Sequence, residues 1–327
     1  MMPGVTASPA RRPVSVAGWL VLAPLAGFAA LRIVGLLDRL GRPFALESLT
    51  LWLLLPAWLV LAGATITRRR LMVGVAAVVV LCHLVWVGPD VRWWPREHRT
   101  GRGPTIRVVS ANTYHGNPDP ARAAARLASL HPDVLVVLEL SPDMARALER
   151  ITALDDLQYR MTDARGGATA FGALIWSRYP LTDQRQRDLV GYPLLTAEVA
   201  LPSGPATVFA VHTLQPLAGL GILRQQLAEL DYEAERTKGT LVLAGDFNAT
   251  RQHHGFRALL QHGLLDAHLE RGRGLATTWP TNKPGPPFAL LDHVLVSKDV
   301  VVRDVDEATI PGSDHRAVVT QLRFSDR

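Results

Sequence analysis

Eight polar residues stand where short apolar runs begin or end: Asn112, Glu139, His212, Asp246, Asn248, Asp292, Asp314 and His315. Their types match a hydrolytic site built on an oxygen-ligated metal. A hard divalent cation such as magnesium takes oxygen ligands, usually one or two carboxylates, and leaves its other positions to water and substrate phosphate. Glu139 is the leading ligand on these grounds, with Asn112 and Asp314 beside it. A phosphodiester is negatively charged and resists attack, so its hydrolysis needs charge neutralisation and an oriented water. Asp246 can orient or deprotonate that water, and Asn248 can donate its amide to a phosphoryl oxygen. Asp292 paired with His315 would fix the imidazole tautomer, while His212 offers a second donor or general acid.

Taken singly, each residue has a plainer explanation. Asn112 can cap a turn, Glu139 can be the first solvated residue after a buried strand, and Asp246 with Asn248 can close an Asx-turn. The case for a site rests on all eight together.

Those residues are carried by β-branched runs at residues 106–110, 134–138, 173–176, 197–201, 207–211, 241–244, 293–296 and 317–322. Several are continuous rather than alternating, as expected of strands buried on both faces. Six of the eight runs have an ionisable or amide side chain at one end, and side chains at strand ends can converge on one rim of a layered α/β domain. Helices are expected over residues 120–130, capped by Asp119 with Pro120 in the first position, over 216–237, and over 254–261. His253 and His254 just past GDFN look like metal ligands, but neighbouring residues on a helix do not share a face, so capping or solvation is expected of them.

The chain before residue 105 has a different composition. Apolar runs at residues 16–37, 44–66 and 71–88 are each roughly long enough to cross a bilayer, which needs about 17–25 residues. Residues 1–15 then form an N-terminal tail and residues 89–104, rich in Pro, Gly, Arg and Trp, a juxtamembrane linker to a domain at 105–327. Arg32 and Glu47 are placed to snorkel, and Trp19, Trp86, Trp93 and Trp94 lie near run ends as interfacial aromatics do. The basic turn Arg68-Arg69-Arg70 puts the N-terminus in the cytoplasm and the final domain outside it, although Arg92, Arg96, Arg99 and Arg102 weigh the other way.

Charge separates along the same line. Residues 1–100 carry 11 Lys plus Arg against 4 Asp plus Glu, and residues 101–327 carry 24 against 25, a net +7 and −1. The overall +6 therefore belongs to the apolar region and is not the footprint of a duplex-binding face. The one cysteine, Cys82, falls in the third apolar run, which excludes a thiol nucleophile or zinc–thiolate site from the last domain.

The ordered segments SANTYHGN, VVLEL, IWSRYPL, VFAVHT, LAGDFNAT, TTWP, LDHVLVS and GSDHRAV resemble the endonuclease/exonuclease/phosphatase superfamily over about residues 105–323. The resemblance implies a four-layer α/β/β/α sandwich of the deoxyribonuclease I type, here preceded by three transmembrane helices. It also implies magnesium or manganese at Glu139 with Asn112 nearby and Asp314 close to the metal, Asp246 and Asn248 at the scissile phosphate, and His315, Asp292 and His212 completing the pocket. Arg178 in SRYP is a candidate phosphate contact with a structural role as its alternative, and Tyr114 and His115 are candidates to line the pocket. Loops around residues 159–170 and 280–290 are expected to set specificity.

The expected protein is a bacterial plasma-membrane phosphoester hydrolase acting on nucleic acid, a nucleotide or a phospholipid, with membrane lipid as its other partner. A phospholipid or sphingomyelin phosphodiesterase is the alternative to a nuclease. A non-catalytic binding module on the same fold is the alternative to an enzyme.

Overall fold

The computed structural model describes residues 11–91, 94–95, 103–163 and 170–324. Residues 1–10 of the expected tail, 92–93 and 96–102 of the expected linker, and 164–169 of the first specificity loop lie outside the described residues. The chain divides into two units, Met1–Pro89 and Asp90–Arg327.

The first unit contains helices α1 (Arg11–Ile33), α2 (Gly41–Glu47), α3 (Thr50–Leu53), α4 (Pro56–Ile66) and α5 (Arg70–Val87). Among the described residues, two helices are long and apolar enough to cross a membrane, Val16–Ile33 and Arg70–Val87. The expected second span at residues 44–66 is not one helix: it is broken before Pro56, which has no N–H to donate to Trp52 and whose ring crowds that carbonyl. Expected span 16–37 also ends early, because Gly35 at φ +67 closes α1, with Leu36 donating to the Leu31 carbonyl at 2.9 Å. Arg32 and Glu47 are not left to snorkel. Arg32 donates to the Thr50 hydroxyl at 2.7 Å and lies over the Trp86 ring, and Glu47 is buried. Leu22, Leu25, Leu54, Ala57, Met72 and Ala76 form the core of this unit.

The second unit has twelve strands among the described residues: β1 (Thr105–Asn112), β2 (Val134–Leu138), β3 (Tyr159–Thr162), β4 (Ala173–Ser177), β5 (Leu181–Leu189), β6 (Tyr192–Leu201), β7 (Gly204–His212), β8 (Thr240–Asp246), β9 (Leu265–Asp266), β10 (Asp292–Val296), β11 (Val300–Thr309) and β12 (Arg316–Phe324). Its helices are α6 (Pro120–Ala128), α7 (Pro142–Glu149), α8 (Pro216–Arg236), α9 (His254–Gln261) and α10 (Ala267–Glu270). Two six-stranded sheets result, ordered β11-β12-β1-β2-β4-β3 and β5-β6-β7-β8-β10-β9. Each has one parallel pair at its centre, β1 with β2 and β7 with β8, and is otherwise antiparallel.

The continuous apolar runs are explained by burial on both faces. Along β2, Val134, Val136 and Leu138 pack between the sheets against residues such as Val208, Val242 and Val294, whereas Leu135 and Val137 pack under Leu127 of α6 and Met144 of α7. On the far side, α8 and α9 cover the second sheet: Gln226 donates to the Leu189 carbonyl, and Phe256 packs on Phe247 and His293. Asp119 caps α6 by accepting from the Arg122 N–H at 3.2 Å. Helix α8 spans the expected stretch but is interrupted at Gly219.

Candidate active site

Strand direction brings the polar residues together. The carboxyl ends of the parallel pairs β1/β2 and β7/β8 point to one edge of the two-sheet stack. There β1 ends in Asn112, β2 is followed by Glu139, β7 ends in His212 and β8 in Asp246. The antiparallel strands β10 and β12 begin at that edge, so Asp292 stands opposite Asp246 and His315 precedes Arg316. Three residues at this edge hold the left-handed conformation that favours glycine, Tyr114 at φ 58, Glu139 at φ 51 and Asn248 at φ 44. Such strain is tolerated where surrounding contacts impose it, and it clusters at functional sites.

Hydrogen bonds join the two sheets through Asn112. Its amide nitrogen donates to Glu139 Oε1 at 3.0 Å and to Asp246 Oδ2 at 3.1 Å, and its oxygen accepts the Tyr114 N–H at 3.0 Å. Two carboxylates on one end and an N–H on the other leave one orientation for this amide, so Asn112 presents its nitrogen, not its oxygen, to Glu139. The expected pocket residues Tyr114 and His115 act here through their backbones, since His115 N–H donates to Glu139 Oε2 at 2.8 Å. Ser313, which no sequence signal singled out beyond its place in GSDH, fastens the edge: its hydroxyl donates to the Asn112 carbonyl and accepts the His315 N–H.

On the second sheet, Asp246 accepts the Asn248 N–H at 2.8 Å, and the Asn248 amide nitrogen donates to the Thr213 carbonyl at 2.8 Å and Asp246 Oδ2 at 3.3 Å. His315 Nδ1 lies 2.7 Å from Asp292 Oδ2, which fixes the ring, and its Nε2 faces Asp246 Oδ2 at 3.7 Å. His212 Nε2 is 3.8 Å from Glu139 Oε1. Phe171, which carried no signal in the sequence, packs on His212 with ring centroids 4.9 Å apart. Trp279 of TTWP faces His315 at 6.5 Å and donates to Asp314 Oδ2 at 3.4 Å, so the 280–290 loop that follows it borders the site.

The electrostatics divide the titratable groups. Burial raises Asp246 to about 7, reinforced by the charge of Asp292 and opposed by His315 and the N–H of Asn248. Burial works against a charge on His315, but Asp292 and Asp246 outweigh it and lift the imidazole to about 10. His212 moves the other way, held low by burial against the attraction of Glu139. At neutral pH the site therefore pairs a cationic His315 with a neutral His212.

Arg178 does not belong here. Strand β4 runs antiparallel to β2, with Ser177 opposite Val134, so Arg178 emerges at the far end and pairs with Asp133 at 3.4 Å and Asp156 at 3.5 Å. His253 occupies the N-cap position of α9 but is buried, its Nδ1 accepting the Thr250 N–H, while His254 is exposed.

A divalent cation fits the donor set. Four buried polar atoms without a hydrogen-bond partner lie at this edge: Asp314 Oδ1, Asp292 Oδ1, His212 Nδ1 and His115 Nδ1. Glu139 keeps lone pairs beyond its two accepted bonds, and unpaired carboxylate oxygens suit a hard cation. Asp246, Asp292 and His315 also have ligand atoms within 4.8 Å of one another, but an imidazolium hydrogen-bonded to Asp292 has no lone pair for a metal. Asp266, His268 and His293 form a second such trio, already neutralised by Arg251 at 2.8 Å from Asp266.

Two facing mixed sheets, with helices on their outer faces and an acidic, amide and imidazole cluster at one shared edge, have the α/β architecture of the deoxyribonuclease I-like fold. The Endonuclease/Exonuclease/phosphatase family matches residues 109–315, and the chain belongs to that family. No curated protein matches it. Its fold is similar to that of an endonuclease/exonuclease/phosphatase from Beutenbergia cavernae, at 21% identity over 68% of this chain and 72% of that one with a TM-score of 0.54. A Bacteroides vulgatus endonuclease/exonuclease/phosphatase matches at 17% identity over 68% and 100% with a TM-score of 0.56. D. rerio TDP2, crystallised with a single-strand DNA product, matches at 15% over 67% and 98% with a TM-score of 0.54.

Proposed function

We propose that this protein is a membrane-tethered, divalent-metal-dependent phosphodiesterase that hydrolyses its substrate by in-line attack of an activated water. The observation that carries the proposal is the unbroken row of contacts His212, Glu139, Asn112, Asp246, His315 and Asp292 across the edge of both sheets. Glu139 and Asp314 would hold magnesium or manganese, which when bound neutralises phosphoryl charge.

The chain's own residues supply the rest. Asp246, held by the Asn112 amide and the Asn248 N–H, accepts the proton of the attacking water as the water oxygen bonds to phosphorus. The His315 imidazolium, fixed by Asp292, faces the same locus and donates to a phosphoryl oxygen or to the departing ester oxygen. His212, neutral, adds a donor without adding charge. Asn248 reaches a phosphoryl oxygen by giving up its longer bond, the one at 3.3 Å to Asp246.

Nucleic acid is the substrate class favoured by the D. rerio relative, whose structure contains single-strand DNA. The alternative, a phospholipid or sphingomyelin diester, is favoured by the apolar N-terminal surface, where Leu59, Ile66 and Leu71 are 77%, 80% and 74% exposed. Turnover of single-stranded DNA, RNA, sphingomyelin, phosphoinositides and bis-p-nitrophenyl phosphate by the detergent-solubilised full chain, with magnesium, manganese or EDTA, tests the proposal. Metal-dependent hydrolysis of at least one is expected, and no turnover of any with either metal would overturn it.

A further inference from the structure

We infer that Asp90, three positions past the end of α5, is a positioning residue for the catalytic loop and acts on it through Arg251. The inference rests on the proposed phosphodiesterase site. Asp90 falls in the stretch whose composition reads as a linker, yet it is buried and doubly held: Oδ1 accepts from Arg251 Nε at 2.9 Å and Oδ2 from Gln252 Nε2 at 2.8 Å. Its backbone is seated as closely. A Cβ on Gly274 would lie 2.5 Å from the Asp90 carbonyl oxygen and 2.9 Å from its Cα, so the glycine leaves room for this residue.

Arg251 and Gln252 follow Asn248 by three and four positions, on the loop that leaves β8. The Arg251 guanidinium is spread over Asp90, Asp266 and the Gly274 carbonyl. From Asp266 the network continues to His293 Nδ1 at 3.0 Å, and His293 Nε2 lies 3.2 Å from the Ala249 carbonyl. His293 adjoins Asp292, the partner of His315. A buried guanidinium needs its full set of partners, and losing one carboxylate leaves charge uncompensated under the loop. Asp90 thus braces, from behind, the segment that presents Asp246 and Asn248. A fragment starting later in the linker lacks this brace.

The test compares full-length wild type with Asp90→Asn and Gly274→Ala, and with Ala123→Gly in α6 as a destabilised control. Two quantities are measured on each: kcat and KM for bis-p-nitrophenyl phosphate with manganese, and hydrogen exchange of backbone amides 247–253. Asp90→Asn is expected to lower kcat on the order of tenfold to a hundredfold with KM within about twofold, as when a supporting partner is lost. Exchange at Asn248 and His253 is expected to quicken. Gly274→Ala, which displaces the same segment without touching a charge, is expected to do likewise, and Ala123→Gly to lower the thermal midpoint with neither effect. Wild-type kcat and wild-type exchange in Asp90→Asn, or losses matched by the control, would overturn the inference. If wild type turns over no phosphodiester, the site proposal fails and loop exchange alone decides the role of Asp90.

Discussion

Asn112 is the residue on which the two sheets meet. Its amide touches both carboxylates that matter, Glu139 and Asp246, from a fully buried position. Asn112→Ala should therefore lower kcat by about 10–100-fold, the usual cost of removing a group that orients ligating and catalytic side chains. Arg178→Ala, at the far end of β2, should leave kcat and KM at wild-type values; steady-state kinetics on the two variants makes the comparison. The residue types at this edge were legible in the sequence because each interrupts an apolar run. Arg178 was misplaced because the direction of β4 is a property of sheet pairing, which local sequence does not contain. Asp90 was hidden for a related reason, since its partners Arg251 and Gln252 are some 160 residues away.

Strands and helices carry the next level of constraint. Gly245 has φ +155, and a Cβ there would sit 1.9 Å from the Val211 carbonyl oxygen, inside the parallel pairing that sets His212 beside Asp246. Gly245→Ala should destabilise by at least about 1–3 kcal/mol, as overpacking does, and should also reduce kcat. A native thermal midpoint with native kcat would contradict that. On α10, His268 is fully buried between Asp266 and Glu307, and those carboxylates raise its pKa despite burial. Protonated His268 thus contributes stability that is fully present below the ordinary value of 6.5 and is lost as pH rises through the raised value. Thermal midpoints of wild type and His268→Gln, measured from about pH 6 upward, should converge as pH rises. The central strands were legible because they are apolar on both faces. Strands β5 and β11 were not, because LTDQRQRDL and VVVRDVDEAT carry charge on exposed faces and look like loops. The break before Pro56 follows from a residue in plain view that a hydropathy count passes over.

At the scale of the whole molecule, composition separates a basic, apolar first unit from a near-neutral second one, and the structure divides the chain at Pro89 and Asp90. The charges around Arg68 to Arg70 lead us to propose that α5 starts on the cytoplasmic side and leads to an extracytoplasmic catalytic domain. An alkaline phosphatase fused after Gly103 should then be active in a bacterial host, and an inactive fusion there beside an active one after Arg70 would reverse the orientation. The central claim is that this fold hydrolyses phosphodiesters with Asp246 as the acceptor of the water proton. It is tested most directly by the kcat of full-length Asp246→Asn against wild type, on bis-p-nitrophenyl phosphate with saturating manganese. Asparagine keeps the shape and cannot take the proton, so a fall of about 10²–10⁴-fold is predicted, with the thermal midpoint preserved. An unchanged kcat in the folded variant would contradict the account.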